Sequence, residues 1–208
     1  MEQNIQPNPQ SNSSQLKSFS DACHDGSIDI LEQLLKNGVD SNGIDKTWNN
    51  TPLGIAVDNN QLLVINFLLK NGANINKGTP DNGITPLWIA AFKGYLDIVR
   101  ILVEQGADIN KAQTDDGSTP LYEAAQNGHL DIVRILVEQG ADINKARTDI
   151  IRSRTVLGFM IERGDLELVK IISTLDEEQQ LLLPYSSSLN IGYCLDNLSF
   201  GGYFPKNQ

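Results

Sequence analysis

The segment Leu96–Ala112, LDIVRILVEQGADINKA, returns unchanged at Leu130–Ala146. Two identical copies at an offset of 34 residues mark a repeated structural unit, so the rest of the chain can be read by stepping at that interval. Stepping back takes Thr119 to Thr85 and then to Thr51, each opening a TPL triplet: TPLYEAA, TPLWIAA and TPLGIAV. One more step reaches Leu16–Asn42, which keeps the apolar spacing without the Thr-Pro pair.

Each unit reads as two short antiparallel helices. Thr51, Thr85 and Thr119 can cap an inner helix through the side-chain oxygen, and Pro52, Pro86 and Pro120 occupy the first helical position, where a missing N–H costs nothing. The inner helices end at Gly26, Gly94, Gly128 and Gly164, residues suited to a left-handed closing conformation, and the second unit uses Asn60 instead. The outer helix carries Ile98, Val99, Leu102 and Val103, then Ile132, Val133, Leu136 and Val137, the spacing of one apolar face. Gly38, Gly72, Gly106 and Gly140 stop these helices, and polar, glycine-containing turns run on to the next Thr-Pro as fingers.

TPLWIAAFKGYLDIVRILVEQGADIN and TPLYEAAQNGHLDIVRILVEQGADIN resemble the ankyrin repeat. The resemblance implies an all-α solenoid of stacked helix-turn-helix units joined by short hairpin-like fingers. The period of 34 exceeds the family's usual length of about 33, which places one extra residue in the finger. The expected organisation is a disordered polar leader over 1–14 and five repeats over 15–175, at about 16–47, 48–81, 82–115, 116–151 and 152–175. The fifth unit is degenerate, with Val156 and Met160 replacing the Pro and a small Ala. Over 176–208 follow a degenerate finger, a truncated sixth repeat whose inner helix spans 189–198, and a tail in which Phe200, Tyr203 and Phe204 can cover the last apolar face.

Sixteen Lys and Arg against 26 Asp and Glu leave a net charge of −10, which repels the phosphate backbone of nucleic acids and is compatible with a basic partner. Cys23 and Cys194 are too few for a disulfide framework or a thiolate zinc cluster, which fits a reducing, cytoplasmic setting. MEQNIQPNPQSNSSQ has neither a basic region nor an apolar core of the secretory type, and no uncharged apolar run reaches bilayer length. The expected protein is monomeric on its own and off the membrane.

Catalytic chemistry lacks a motif. His24 and His129 are the two imidazoles of the chain, and Cys23 beside His24 does not make a dyad, because adjacent helical residues point about 100° apart. Cys23 occupies the small apolar position of Val57, Ala91 and Ala125, and Cys194 that of Ala56, Ala90 and Ala124, so both read as packed core thiols. There is no HExxH, no phosphate-cradling glycine loop and no C-x-x-C, so neither metal nor cofactor is expected.

The family resemblance implies that partner proteins are held by the finger tips and the exposed face of the inner helices, which together form a concave surface. Counted from each Thr-Pro, the positions expected to be exposed are Asp21, His24 and Asp25; Ile55, Asp58 and Asn59; Ile89, Phe92 and Lys93; Glu123, Gln126 and Asn127; and Phe159, Glu162 and Arg163. The middle of that strip reads as apolar. Trp88 and Tyr122 stand where the family commonly has His after TPL, and either anchor a partner or pack between neighbouring repeats; Trp48 lies in the first finger. A second candidate is KARTDIIRSR, Lys145–Arg154, an enlarged cationic finger in which Arg147 and Arg152 can meet an acidic segment, unless it is simply a solvated loop.

These features point to a non-enzymatic protein-binding module. A secreted microbial effector that sequesters or recruits a host protein is an alternative, resting on the short architecture and the Asn/Gln-rich leader. A small thiol enzyme using Cys23 or Cys194 is the rival of another class. Because the register of the repeat continues beyond Leu175, a chain truncated there is expected to melt below the full-length protein; equal melting temperatures and equal solubility would show that the C-terminal segment is not part of the stack.

Overall fold

Thr51, Thr85 and Thr119 each adopt extended backbone and accept a hydrogen bond from the N–H three residues on, at Gly54 (3.0 Å), Trp88 (3.2 Å) and Tyr122 (3.2 Å). A proline fills the first turn of each helix that follows. In a computed structural model describing residues 9–143, these caps open α3 (Pro52–Asp58), α5 (Pro86–Lys93) and α7 (Pro120–Asn127). The outer helices are α2 (Ile28–Lys36), α4 (Leu62–Lys70), α6 (Leu96–Glu104) and α8 (Leu130–Glu138).

The first inner helix, α1, runs from Pro9 to Asp25 and is therefore longer than its sisters. This corrects the expected leader boundary at residue 14. Lys17 and Ser18 stand where later units carry Thr-Pro, so nothing stops the helix at that point. Once the buried face of Phe19, Ala22 and Cys23 holds it, each added turn costs little until Pro9, which suits a first helical position. Residues 1–8, the fifth unit, the truncated sixth unit and the tail lie outside the described residues.

Inner helices stack on inner helices, α1 on α3, α3 on α5 and α5 on α7, and each also packs against its own outer helix. The outer row touches itself less, and its helices are 9 residues long against 7 or 8 for α3, α5 and α7. The core runs continuously through the units. Leu53, Leu87 and Leu121 from the inner row meet Val64, Ile65 and Leu68, then Ile98, Val99 and Leu102, then Ile132, Val133 and Leu136 from the outer row, all buried. Ala56, Ala90, Ala91, Ala124 and Ala125 are the small residues that let neighbouring inner helices approach.

Two polar devices fix the spacing of the units. At the finger bases, the Asn42 side-chain oxygen accepts from the Asn74 N–H (2.6 Å), that of Asn76 from the Asp108 N–H (2.8 Å), and that of Asn110 from the Asp142 N–H (2.8 Å). Lys77 and Lys111 donate to the Asn42 and Asn76 carbonyls, each at 2.8 Å. The recurrent asparagines thus have a structural task. At the opposite corner, Gln61 Nε2 donates to the His24 carbonyl (2.9 Å) and His129 Nε2 to the Phe92 carbonyl (3.1 Å), a pairing that puts the imidazole proton on Nε2. Gly94 must be glycine there: its φ is +79°, and an added Cβ would lie 2.5 Å from the His129 ring.

The fingers are turns rather than strands among the described residues. Thr79 N–H donates to the Ile84 carbonyl (3.0 Å), Gln113 N–H to the Ser118 carbonyl (3.0 Å), and Thr114 N–H crosses to the Asn82 carbonyl of the preceding finger (2.8 Å). On the back of the stack, Leu63 is 78% exposed where the sister helices carry Asp29, Asp97 and Asp131 in the first turn. A carboxylate there would complement the helix dipole. Leu63→Asp is expected to stabilise the protein by about 0.5 kcal/mol, and Thr85→Ala to destabilise it by about 1 kcal/mol through loss of a buried cap, both measured by chemical denaturation.

Candidate partner-binding surface

Two of the aromatic residues singled out in the sequence, Trp48 and Trp88, tie a finger to an inner helix. Trp48, from the first finger, donates its indole N–H to an Asp21 carboxylate oxygen on α1 (2.9 Å), and its ring centroid lies 5.1 Å from that of His24. Trp88, on α5, donates its indole N–H to the Ser118 hydroxyl in the third finger (3.0 Å). Gly54 occupies the matching position on α3, where a Cβ would collide with the Asn50 side chain at 2.2 Å. The finger itself fills the space that Trp88 and Tyr122 fill in the next two units.

Burial sorts the expected strip into two sets. His24, Asp25, Asp58, Phe92, Lys93, Gln126 and Asn127 are exposed, and Asn59 is half-buried. Ile55 (2% exposed), Ile89 (6%) and Glu123 (6%) are buried, which corrects their expected exposure. An inner helix is enclosed by its outer partner and by inner helices on both sides, as α5 is by α6, α3 and α7. The residue four positions after the Thr cap falls into that enclosure, and only the last turn opens to solvent. Tyr122 is also buried, so of its two readings the packing one matches the geometry.

The open row is therefore more polar than expected, with one apolar exception. Phe92 is 42% exposed and stacks on half-buried Trp88, with ring centroids 5.3 Å apart and planes inclined by 12°. Their spacing of four residues on a helix was a legible signal for this contact. Beside the pair, Lys93 Nζ lies 3.0 Å from an Asp58 carboxylate oxygen of the preceding unit, and that hydrogen bond raises the ammonium pKa above its usual value. This bridge joins residues one repeat plus one position apart, a spacing that a search within single units passes over. Phe159, Arg147 and Arg152 fall outside the described residues.

Nothing in the described part is arranged for catalysis. Cys23 is fully buried, and burial pushes its thiol pKa up to about 12, the reverse of what an activated nucleophile needs. Among the described residues no cluster of His, Cys, Asp and Glu could hold a metal ion, and no helix is long and apolar enough to cross a membrane.

The family model for ankyrin repeats matches residues 6–79 and 76–147, in three copies, which spans more than half of the chain. The chain belongs to the ankyrin-repeat family. No curated protein matches it. Ankyrin repeats are generally modules of protein–protein interaction and typically are not enzymes. In this member of the family, the stacked inner helices and fingers are the shared scaffold, and the exposed side chains on the last turns of the inner helices differ from one unit to the next.

The Trp48 indole holds the Asp21 carboxyl below its ordinary range, with smaller help from Lys17, against the opposing effect of burial. A depressed carboxyl pKa contributes stability above the unfolded value, and that contribution is lost as pH falls through the folded value. Trp48→Phe keeps the ring and removes the donor. The Asp21 pKa, followed by side-chain carboxyl NMR, is expected to rise in this variant, and the acid-side stability assigned to Asp21 to shrink with it.

Proposed function

We propose that this ankyrin-repeat protein works as a non-catalytic cytoplasmic binding module, gripping a partner protein along the open last turns of its inner helices and the adjoining fingers. The observation that carries this reading is the Trp88–Phe92 stack. It is a preorganised aromatic pair on an otherwise polar row, with Phe92 exposed and the Trp88 indole N–H already satisfied by Ser118. Rigid aromatic anchors on a firm scaffold are the usual centres of binding energy. Lys93, next to Phe92 in the chain, is ion-paired with Asp58, while Trp48, Gln126 and Asn127 belong to other units and Ile55, Ile89, Tyr122 and Glu123 are buried.

Affinity capture identifies the partner, and titration with that partner tests the site. Phe92→Ala is expected to cost about 2 kcal/mol of binding, roughly thirtyfold in affinity, while leaving the melting temperature nearly unchanged. Glu104→Ala, on an exposed outer-helix position, is expected to leave affinity as it was. If Phe92→Ala binds as the parent does and charge reversal at Lys145, Arg147, Arg152 and Arg154 abolishes binding, the site is the cationic fifth finger instead.

A further inference from the structure

Asp25 is the last residue of α1, and Asp58 is the last residue of α3. A carboxylate at a helix C-terminus opposes the helix dipole, so these two acids stand where folding alone disfavours them; the corresponding ends of α5 and α7 are Lys93 and Asn127. Asp21 adds a third carboxylate one turn before Asp25, hydrogen-bonded to the Trp48 indole, and the His24 ring lies against Trp48. The nearby ammonium groups are held loosely. Lys17 pairs with Asp21 at 3.2 Å and Lys93 with Asp58 at 3.0 Å, both as exposed ion pairs of the kind that exchange readily for another cation.

The described stack as a whole has one dominant sign of charge. Residues 9–143 hold 17 Asp and Glu against 9 Lys and Arg, a net charge of −8, and Asp81 and Asp115 stand exposed on the second and third fingers. Lys77 and Lys111 are committed to backbone carbonyls at the finger bases. Carboxylates beside a tryptophan make a setting for a guanidinium or ammonium group, which gains both an ion pair and the electron-rich ring face. Two units further on, the Trp88–Phe92 stack offers apolar contact.

We infer that the surface takes an extended, basic segment of its partner, with a lysine or arginine set among Asp21, Asp25, Asp58 and Trp48 and an apolar side chain on Phe92. This rests on the binding surface proposed above and specifies what it recognises. The probe is a displayed random library of about twelve-residue peptides panned on the full-length protein. Selected peptides are then titrated against the parent, Phe92→Ala, and the double variant Asp25→Asn with Asp58→Asn, each verified by thermal melting. The expected result is enrichment of sequences that combine Lys or Arg with an apolar residue, a roughly tenfold loss of affinity in the double variant, and binding that weakens as salt rises. Peptides that are neutral or acidic, lose affinity in Phe92→Ala and are indifferent to the double variant overturn the basic-segment inference and leave the surface standing. Peptides indifferent to both variants overturn the surface itself, and the inference with it. Failure to enrich any peptide also overturns the inference, because a segment of this length and charge is what it requires.

Discussion

Burial of the inner helices against one another and against their outer partners is the constraint from which the rest follows. A helix of 7 or 8 residues is too short to be stable alone in water, so α3, α5 and α7 exist because adjacent units cover their sides. That requirement dictates alanine at the contact positions, threonine and proline at the start, and a left-handed glycine or asparagine at the end. It also limits the surface left for recognition. In α3, α5 and α7 only the last turn escapes the enclosure, so each of these units offers about two side chains there, and His24–Asp25, Asp58–Asn59, Phe92–Lys93 and Gln126–Asn127 differ from unit to unit.

Apolar packing transmits position along the stack only approximately, and polar contacts make it definite. The Asn42, Asn76 and Asn110 side chains each grip the backbone of the next unit, and Gln61 and His129 reach back to the end of the preceding inner helix. Tyr95 occupies the corner position between Gln61 and His129 without a side chain of the same kind, while Asp58 and Lys93 join the flanking helices in that region. The ion pair at the centre of the open row therefore belongs to both the scaffold and the surface.

The two ends of the described stack differ in chemistry. Toward the N-terminus, Asp21 meets the Trp48 indole and Asp25 meets His24; toward the middle, Trp88 and Phe92 form the apolar feature. In each, some side chains stand against local preference: Asp25 and Asp58 at helix C-termini oppose the dipole, and Phe92 leaves much of its ring in water. Side chains kept against local preference are where a recognition role is most economically placed.

Within the described residues the repeat was legible in the sequence: identical LDIVRILVEQGADINKA segments, three Thr-Pro starts and a ladder of closing glycines determined the helix pairs, their order and the buried faces of α6 and α8. These are local signals, set by backbone caps and by a 3.6-residue period, and they need no knowledge of neighbours. The exposed face was not legible in the same way. Ile55, Ile89 and Glu123 are hidden by helices of neighbouring units, distant in sequence, and Trp48 becomes a partner of Asp21 only when the finger folds back over α1. Even the start of α1 depended on context, because the absence of Thr-Pro at Lys17–Ser18 let helix run on into a stretch whose composition suggested a loose leader. The sequence by itself determined the helix pairs and the apolar faces of α6 and α8; the tertiary structure decided which inner-helix side chains are buried and which reach solvent, since that depends on how neighbouring units enclose each inner helix.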